Sequence, residues 1–324
     1  MKNFIRKTIL FFMLSVILIF ITISISFIII NKKSDFILKE NPKYIVSGHS
    51  HTESAYNDSL ISGLKNISRS GEAYFYSYQK IKMVLKQNPM VKTVFIEFTN
   101  NQVTGVMDKW IWDDIHITRY LDFVPFMSVS DKFLLFKENS YGFYNLLSIS
   151  TLNALLRVVR SNYSYEKQLD GYRPLEEDKT DSILTNLSKN KINTQKELLN
   201  VSEANLSYLS AIINYCKSND VEPILIRSPL HKAYVGFNNE STYKKILKKR
   251  FSNITYLDFS SFPLTNTEFG DLQHLNYKGA RIFSLWFNEI LSKGLLYKKN
   301  REEFVKMEIG KRYDRSIMKG VSKR

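Results

Sequence analysis

KYIVSGHSHTESAYNDSLISGLKNISRSGEAYFYSYQKIKMVLKQNPMVKTVFIEFTN, residues 43–100, decides the fold class. Residues 43–47 (KYIVS) are a short apolar run closed by Gly48, the signature of a buried strand. Residues 52–64 place Ala55, Leu60, Ile61 and Leu64 on the inner side of a helix. Asn66-Ile67-Ser68 reads as a second short strand, stopped by Gly71. In 72–88, Tyr74, Tyr78, Ile81 and Leu85 recur at helical spacing, and Asn88-Pro89 ends the helix. The β-branched and aromatic run 92–98 (KTVFIEF) is a third strand. Strand, helix, strand, helix, strand predicts a parallel sheet with helices on its faces.

Towards the C-terminus the same alternation returns after an interruption. Residues 101–180 hold Trp110, Trp112 and an apolar stretch from Phe133 to Val159, and read as helices and loops inserted beside the sheet. A helix is expected over 197–219, strands at 222–227 and 254–259, and a last helix capped by Asn276 and running to about Leu291. The expected organisation is one three-layer α/β domain over 43–297 with a helical insertion at about 101–180. A linker at 34–42 precedes it and a basic, peripheral tail, 298–324, follows.

Towards the N-terminus lies Thr8–Ile30, 23 residues without a charge, long enough to cross a bilayer. It lacks the short core and small-residue cleavage site of a signal peptide, so an uncleaved anchor within residues 1–33 is expected. Lys2, Arg6 and Lys7 favour a cytoplasmic N-terminus, with the bulk of the chain outside the cytoplasm in a single-pass arrangement at the cell membrane. Lys32 and Lys33 pull the other way. The net charge of +15 concentrates at this segment and in the tail, where ten Lys/Arg face four Asp/Glu. It therefore points to anionic surfaces near a membrane, with no nucleic-acid partner. With Cys216 alone, no intramolecular disulfide can form.

Ligands of open α/β sheets bind at the carboxyl ends of the strands. Those ends deliver Gly48-His49-Ser50-His51, Ser70-Gly71, Thr99-Asn100-Asn101, Ser228-Pro229-Leu230-His231 and, before the last helix, Asp271-Leu272-Gln273-His274. A serine hydroxyl becomes a nucleophile when a histidine takes its proton, and a carboxylate holds that histidine in the right tautomer. Backbone and amide donors, here Gly71, Asn100 or its neighbour Asn101, and the Ser50 amide, would stabilise the resulting oxyanion. Arg227, His231, His49 and His51 are candidates for substrate contact.

Over 43–100 and 222–291 the chain resembles the SGNH (GDSL-like) hydrolases. The resemblance is carried by Gly48-His49-Ser50, Gly71, Asn100 and Asp271-x-x-His274-Leu275-Asn276-x-x-Gly279-Ala280. It implies a three-layer, flavodoxin-like fold in which Ser50, His274 and Asp271 are catalytic and Gly71 and Asn100 hold the oxyanion, with no cofactor and no metal. His49 departs from the pattern, since the family has Asp there. Gly48-His49-Ser50-His51 is also similar to the Gly-His-x-His block of metallophosphoesterases, but that family's upstream Asp and Asn-His blocks have no counterpart here. A membrane anchor joined to an SGNH-like domain looks like proteins that add or remove O-acyl groups on bacterial surface polysaccharides. The expected function is thus a serine esterase or O-acyltransferase acting on an acylated cell-surface carbohydrate. It would work alone or beside a membrane-bound acyltransferase or polysaccharide-assembly complex. The alternative is a non-catalytic carbohydrate-binding or scaffolding member of such a complex.

Overall fold

Five short runs of β-branched and aliphatic residues line up in parallel in the computed structural model, which describes residues 1–189 and 200–321. In chain order the first elements are α1 (Lys2–Lys33), β1 (Tyr44–Ser47), α2 (Ser50–Ala55), β2 (Leu64–Asn66), α3 (Tyr74–Gln87) and β3 (Thr93–Glu97). Then come α4 (Val106–Trp112), α5 (Asp114–Ile117), α6 (Val129–Glu138), α7 (Ser140–Val159), α8 (Thr180–Lys189) and α9 (Glu203–Ser218). The chain continues with β4 (Glu222–Arg227), α10 (Glu240–Arg250), β5 (Tyr256–Asp258), α11 (Tyr277–Ser292) and α12 (Arg301–Val321). It divides into two compact units: Met1–Phe36 with Ile111–Gln168, and Ile37–Trp110 with Leu169–Arg324.

The second unit carries the sheet, in the order β2-β1-β3-β4-β5, every pair parallel. The chain turns one way after β1 and the other way from β3 onward. The β1/β3 boundary is therefore the switch point at which such sheets open a crevice. Alternation along the strands supplies both faces with apolar residues. Val46, Phe95, Ile224, Ile226 and Leu257 join Phe283, Trp286, Phe287 and Ile290 of α11 in one core. α3 and α9 pack on each other, burying Phe75, Val84, Leu209 and Ile212. Cys216, on α9, is fully buried, and burial pushes its thiol pKa up to about 12.

The expected strands and long helices lie near where the residue pattern puts them, with four differences. The second strand, expected at Asn66-Ile67-Ser68, runs Leu64–Asn66, so Leu64 belongs to the sheet and not to the preceding helix. The helix expected over 52–64 ends at Ala55, and a separate single turn follows at Asp58–Leu60. Asn57 breaks it, because its side chain accepts the Ser59 N–H and its own N–H goes to Ser284 Oγ. The stretch after Lys298, expected to be peripheral, forms α12, which places Val305 and Ile309 in the core. The inserted residues Ile111–Gln168 group with the N-terminal helix rather than with the sheet. The helix expected over 197–219 is described from Glu203; its residues 197–199 lie outside the described residues.

The first unit holds α1, which is long and apolar enough to span a membrane. With it are α5, α6, α7 and an aromatic knot of Phe36, Phe126 and Tyr165, in which Phe36 and Tyr165 stack at 4.7 Å.

Candidate active site

The site grows from one sharp turn. β1 ends at Ser47 and α2 begins at Ser50, leaving two residues, Gly48 and His49, for the reversal. Gly48 has no alternative there: a β-carbon would collide with Glu97 and with Thr52 Oγ1. His49 then acts as the helix cap. The turn leaves Ser50 on the first turn of the helix, half-buried, where its N–H has no intrahelical acceptor.

The Asp271–His274 loop meets that serine. Ser50 Oγ lies 2.7 Å from His274 Nε2, and His274 Nδ1 lies 2.8 Å from Asp271 Oδ2. The loop is folded by its own carboxylate, for Asp271 Oδ1 accepts the N–H groups of Gln273 and His274. These bonds and the His274 ring hold Asp271 below the usual aspartate range, although burial pushes the other way. With Asp271 ionised, His274 Nδ1 carries the proton and Nε2 is left to accept from the serine hydroxyl. The loop is pinned from outside as well: the His231 N–H donates to Leu272 O, and the Gly270 N–H to His274 O. Asn276 caps α11 as expected, accepting from Lys278 and Gly279 N–H. Gly279 is needed because a side chain there would strike the Glu268 carbonyl.

Beneath Ser50 lies a group that the residue pattern did not single out. Glu97, the last residue of β3, is fully buried. Its Oε2 accepts the His49 N–H at 2.9 Å and the Thr52 hydroxyl at 3.0 Å, and its Oε1 lies 3.3 Å from His51 Nδ1. Burial would raise its pKa, but the His49 and His51 rings and the His49 N–H outweigh it and bring it to about 2. The signal was present in KTVFIEF: a lone carboxylate inside a strand buried at all five positions needs partners.

His49 stands where the SGNH pattern has Asp, and the structure gives it work. Its ring is fully buried, and burial first of all lowers its pKa to about 4, so it is neutral near pH 7. Its Nε2–H points to Asn101 Oδ1 at 3.2 Å, and the Thr99 hydroxyl donates to the same oxygen. That fixes the Asn101 amide with its oxygen engaged. The His51 ring packs edge-on against His49 and His274, with Tyr234 also beside it.

Two sequence expectations need correction. Asn100 does not present a spare amide: its Nδ2 donates to Glu240 and Asn239, and its Oδ1 accepts from Arg227. Arg227 is no open anion site either. It is buried, bonded to Asp258 through two nitrogens and ion-paired with Glu240. A third residue, His231, is already hydrogen-bonded where it lines a cavity with Phe269 and Trp286, with Nδ1 accepting from Ala233 N–H and Nε2 near Asn266 Oδ1. Gly71 takes the left-handed φ of 72° that suits glycine. It sits beside the turn, since the Arg69 N–H donates to Gly48 O. The next residue, Glu72, is buried in an ion pair with Lys80.

Among the described residues, His49, His51 and Glu97 bring their donor atoms within 4.8 Å of one another, the spacing at which three side chains could share a cation. Glu97 Oε2 supports the turn through two hydrogen bonds, whereas Glu97 Oε1 and both ring nitrogens of His51 are buried without a hydrogen-bond partner, Oε1 and Nδ1 facing each other at 3.3 Å.

A model of an uncharacterised family matches residues 157–296, a stretch that includes Asp271 and His274 but not Ser50. No curated protein matches the chain.

Proposed function

We propose that the chain is a membrane-anchored serine esterase or O-acyltransferase that works through an acyl-enzyme on an acylated cell-surface carbohydrate. One observation carries the chemical part: the unbroken line from Ser50 Oγ through His274 to Asp271, at 2.7 and 2.8 Å. The carbohydrate rests on the resemblance to SGNH hydrolases and on α1, an apolar helix of membrane-spanning length.

In this reading Ser50 Oγ attacks the ester carbonyl while its proton passes to His274 Nε2. Asp271 stabilises the imidazolium, which then protonates the leaving alcohol. The tetrahedral oxyanion is met by the Ser50 N–H, at the positive end of α2, and by Asn101 Nδ2. Water or a sugar hydroxyl, deprotonated by His274, then releases the acyl group. Asn101 takes the role first expected of Asn100, and His49 serves it by holding the amide oxygen. His49 in place of Asp therefore fits a working site rather than a silent scaffold.

The test is fluorophosphonate labelling and p-nitrophenyl acetate turnover by the full-length protein in detergent. Ser50→Ala should abolish labelling, and Ser50→Ala or His274→Ala should cut turnover by about 10⁴-fold. Equal labelling of folded wild type and Ser50→Ala, or none of either, would defeat the proposal.

A further inference from the structure

The first unit arranges its helices in a way water does not favour. In α7 Gly142, Phe143, Leu146, Ser150 and Ala154 are buried, whereas Tyr141, Tyr144, Leu152, Leu156 and Val159 are exposed, so large apolar side chains stand on the outer face as well as the inner one. These exposed residues fall on one side of the helix, with exposed Ser148 in the gap between Tyr144 and Leu152. No charge occurs from Asn139 to Leu156. α6 continues the pattern, with Val129, Phe133 and Phe136 exposed at i, i+4 and i+7, Val129 at 84%. A helix packed for water turns large apolar side chains inward. Helices packed for lipid meet through small residues and face the hydrocarbon with large ones.

α1 likewise leaves large apolar side chains exposed in the same unit. It packs on α7 and on Thr118–Phe126, burying Ser26 and Ile30 while Ile25 and Ile28 stay exposed. These contacts fall in the last turns of its apolar run. They continue where the run gives way to polar residues: Asn31 donates to Pro125 O, and Lys132 of α6 holds its Nζ 5.3 Å from the Phe27 ring. Where α1 leaves the bilayer, α6 and α7 are beside it.

We infer that α6 and α7 form a second membrane contact, an interfacial seat lying in the leaflet at the C-terminal end of α1. α7 is too rich in Asn, Ser and Thr to span, and its uncharged stripe ends at Arg157 and Arg160, as expected of a helix at the headgroup boundary. The occupant of the exposed stripe is lipid, because the stripe belongs to the same packed unit as α1. This inference rests on α1 being a membrane anchor, and the test separates the two.

Full-length protein is reconstituted into phosphatidylethanolamine/phosphatidylglycerol vesicles as single-site cysteine variants carrying an environment-sensitive fluorophore, with the native Cys216 left buried. Phe133→Cys and Leu152→Cys report the seat, Ile17→Cys reports α1, and Tyr297→Cys, on the exposed Tyr297 of the other unit, is the aqueous control. Lipids spin-labelled near the headgroup should quench Phe133→Cys and Leu152→Cys strongly, and deep-labelled lipids should quench Ile17→Cys. If Ile17→Cys is quenched while the two seat positions behave like Tyr297→Cys, the seat is overturned and the anchor stands. If Ile17→Cys is not quenched, anchor and seat fall together. If Leu152→Cys is shielded from water, unquenched by lipid and cross-links between copies, protein covers the face and the inference is wrong.

Discussion

The two units treat their large apolar side chains in opposite ways. In the sheet unit Phe259, Phe262, Phe283, Trp286 and Phe287 meet edge to face or tilted at 4.8–6.0 Å inside the core. In the unit with α1, α6 and α7 bury Leu135, Phe143 and Leu146 but leave Val129, Phe133, Tyr144, Leu152 and Val159 pointing outward. Both are helical packing by the same residue types, so composition alone does not separate them. Exposure does: the sheet unit covers its large apolar side chains, and the other leaves many of them uncovered.

The sharpest way to break this contrast is a pair of truncations. Phe283→Ala should cost about 3–5 kcal/mol in denaturant unfolding of the full chain in detergent, because its ring contacts several aromatic neighbours that cannot close the gap. A small loss there would mean that the sheet core is far softer than its geometry. Within the site, Asn101→Ala should lower kcat by about 10²–10³-fold with little change in melting temperature. Asn100→Ala should do the reverse: it strips a partner from buried Arg227 and should cost about 1–3 kcal/mol of stability. An equal loss of turnover in both variants would erase the distinction between them.

Acid probes the same buried turn. The His49 pKa is depressed from 6.5 to about 4 in the native protein, so the unfolded chain takes up the proton first. Its contribution to stability is complete above about pH 6.5 and is lost as the pH falls towards 4, amounting to about 3 kcal/mol. Unfolding midpoints measured from pH 7.5 to 4.5 should show that fall, and His49→Gln should flatten it. The smallest effect belongs to the other unit. Leu152→Ala should change unfolding stability in detergent by less than about 0.5 kcal/mol, since the side chain leaves only its exposed stripe. A loss comparable to that of Phe283→Ala would show that Leu152 is packed after all.

Much of the sheet unit was legible because its signals are local. KTVFIEF has no reading but a buried strand, and Asn276 before the last helix is a cap by chemistry as well as position. The line Ser50–His274–Asp271 was legible because Asp-x-x-His folds on itself and the sheet sets its partner. What escaped depends on distant partners. Nothing in Thr99-Asn100-Asn101 tells which amide is free until Arg227 and Glu240, more than a hundred residues on, claim Asn100. Glu97 looked like an ordinary strand residue until His49, His51 and Thr52 closed around it. The grouping of 111–168 with α1 was hidden for a similar reason: those helices carry enough Asn, Ser and Thr to look like a soluble insertion.

Cys216 has a consequence of another kind. The single thiol is walled into α9, and so short of thiolate that alkylating reagents reach it only when the sheet unit opens. The protein thus carries its own unfolding counter: the rate at which a thiol reagent consumes Cys216 reads the opening of the sheet unit without an engineered label.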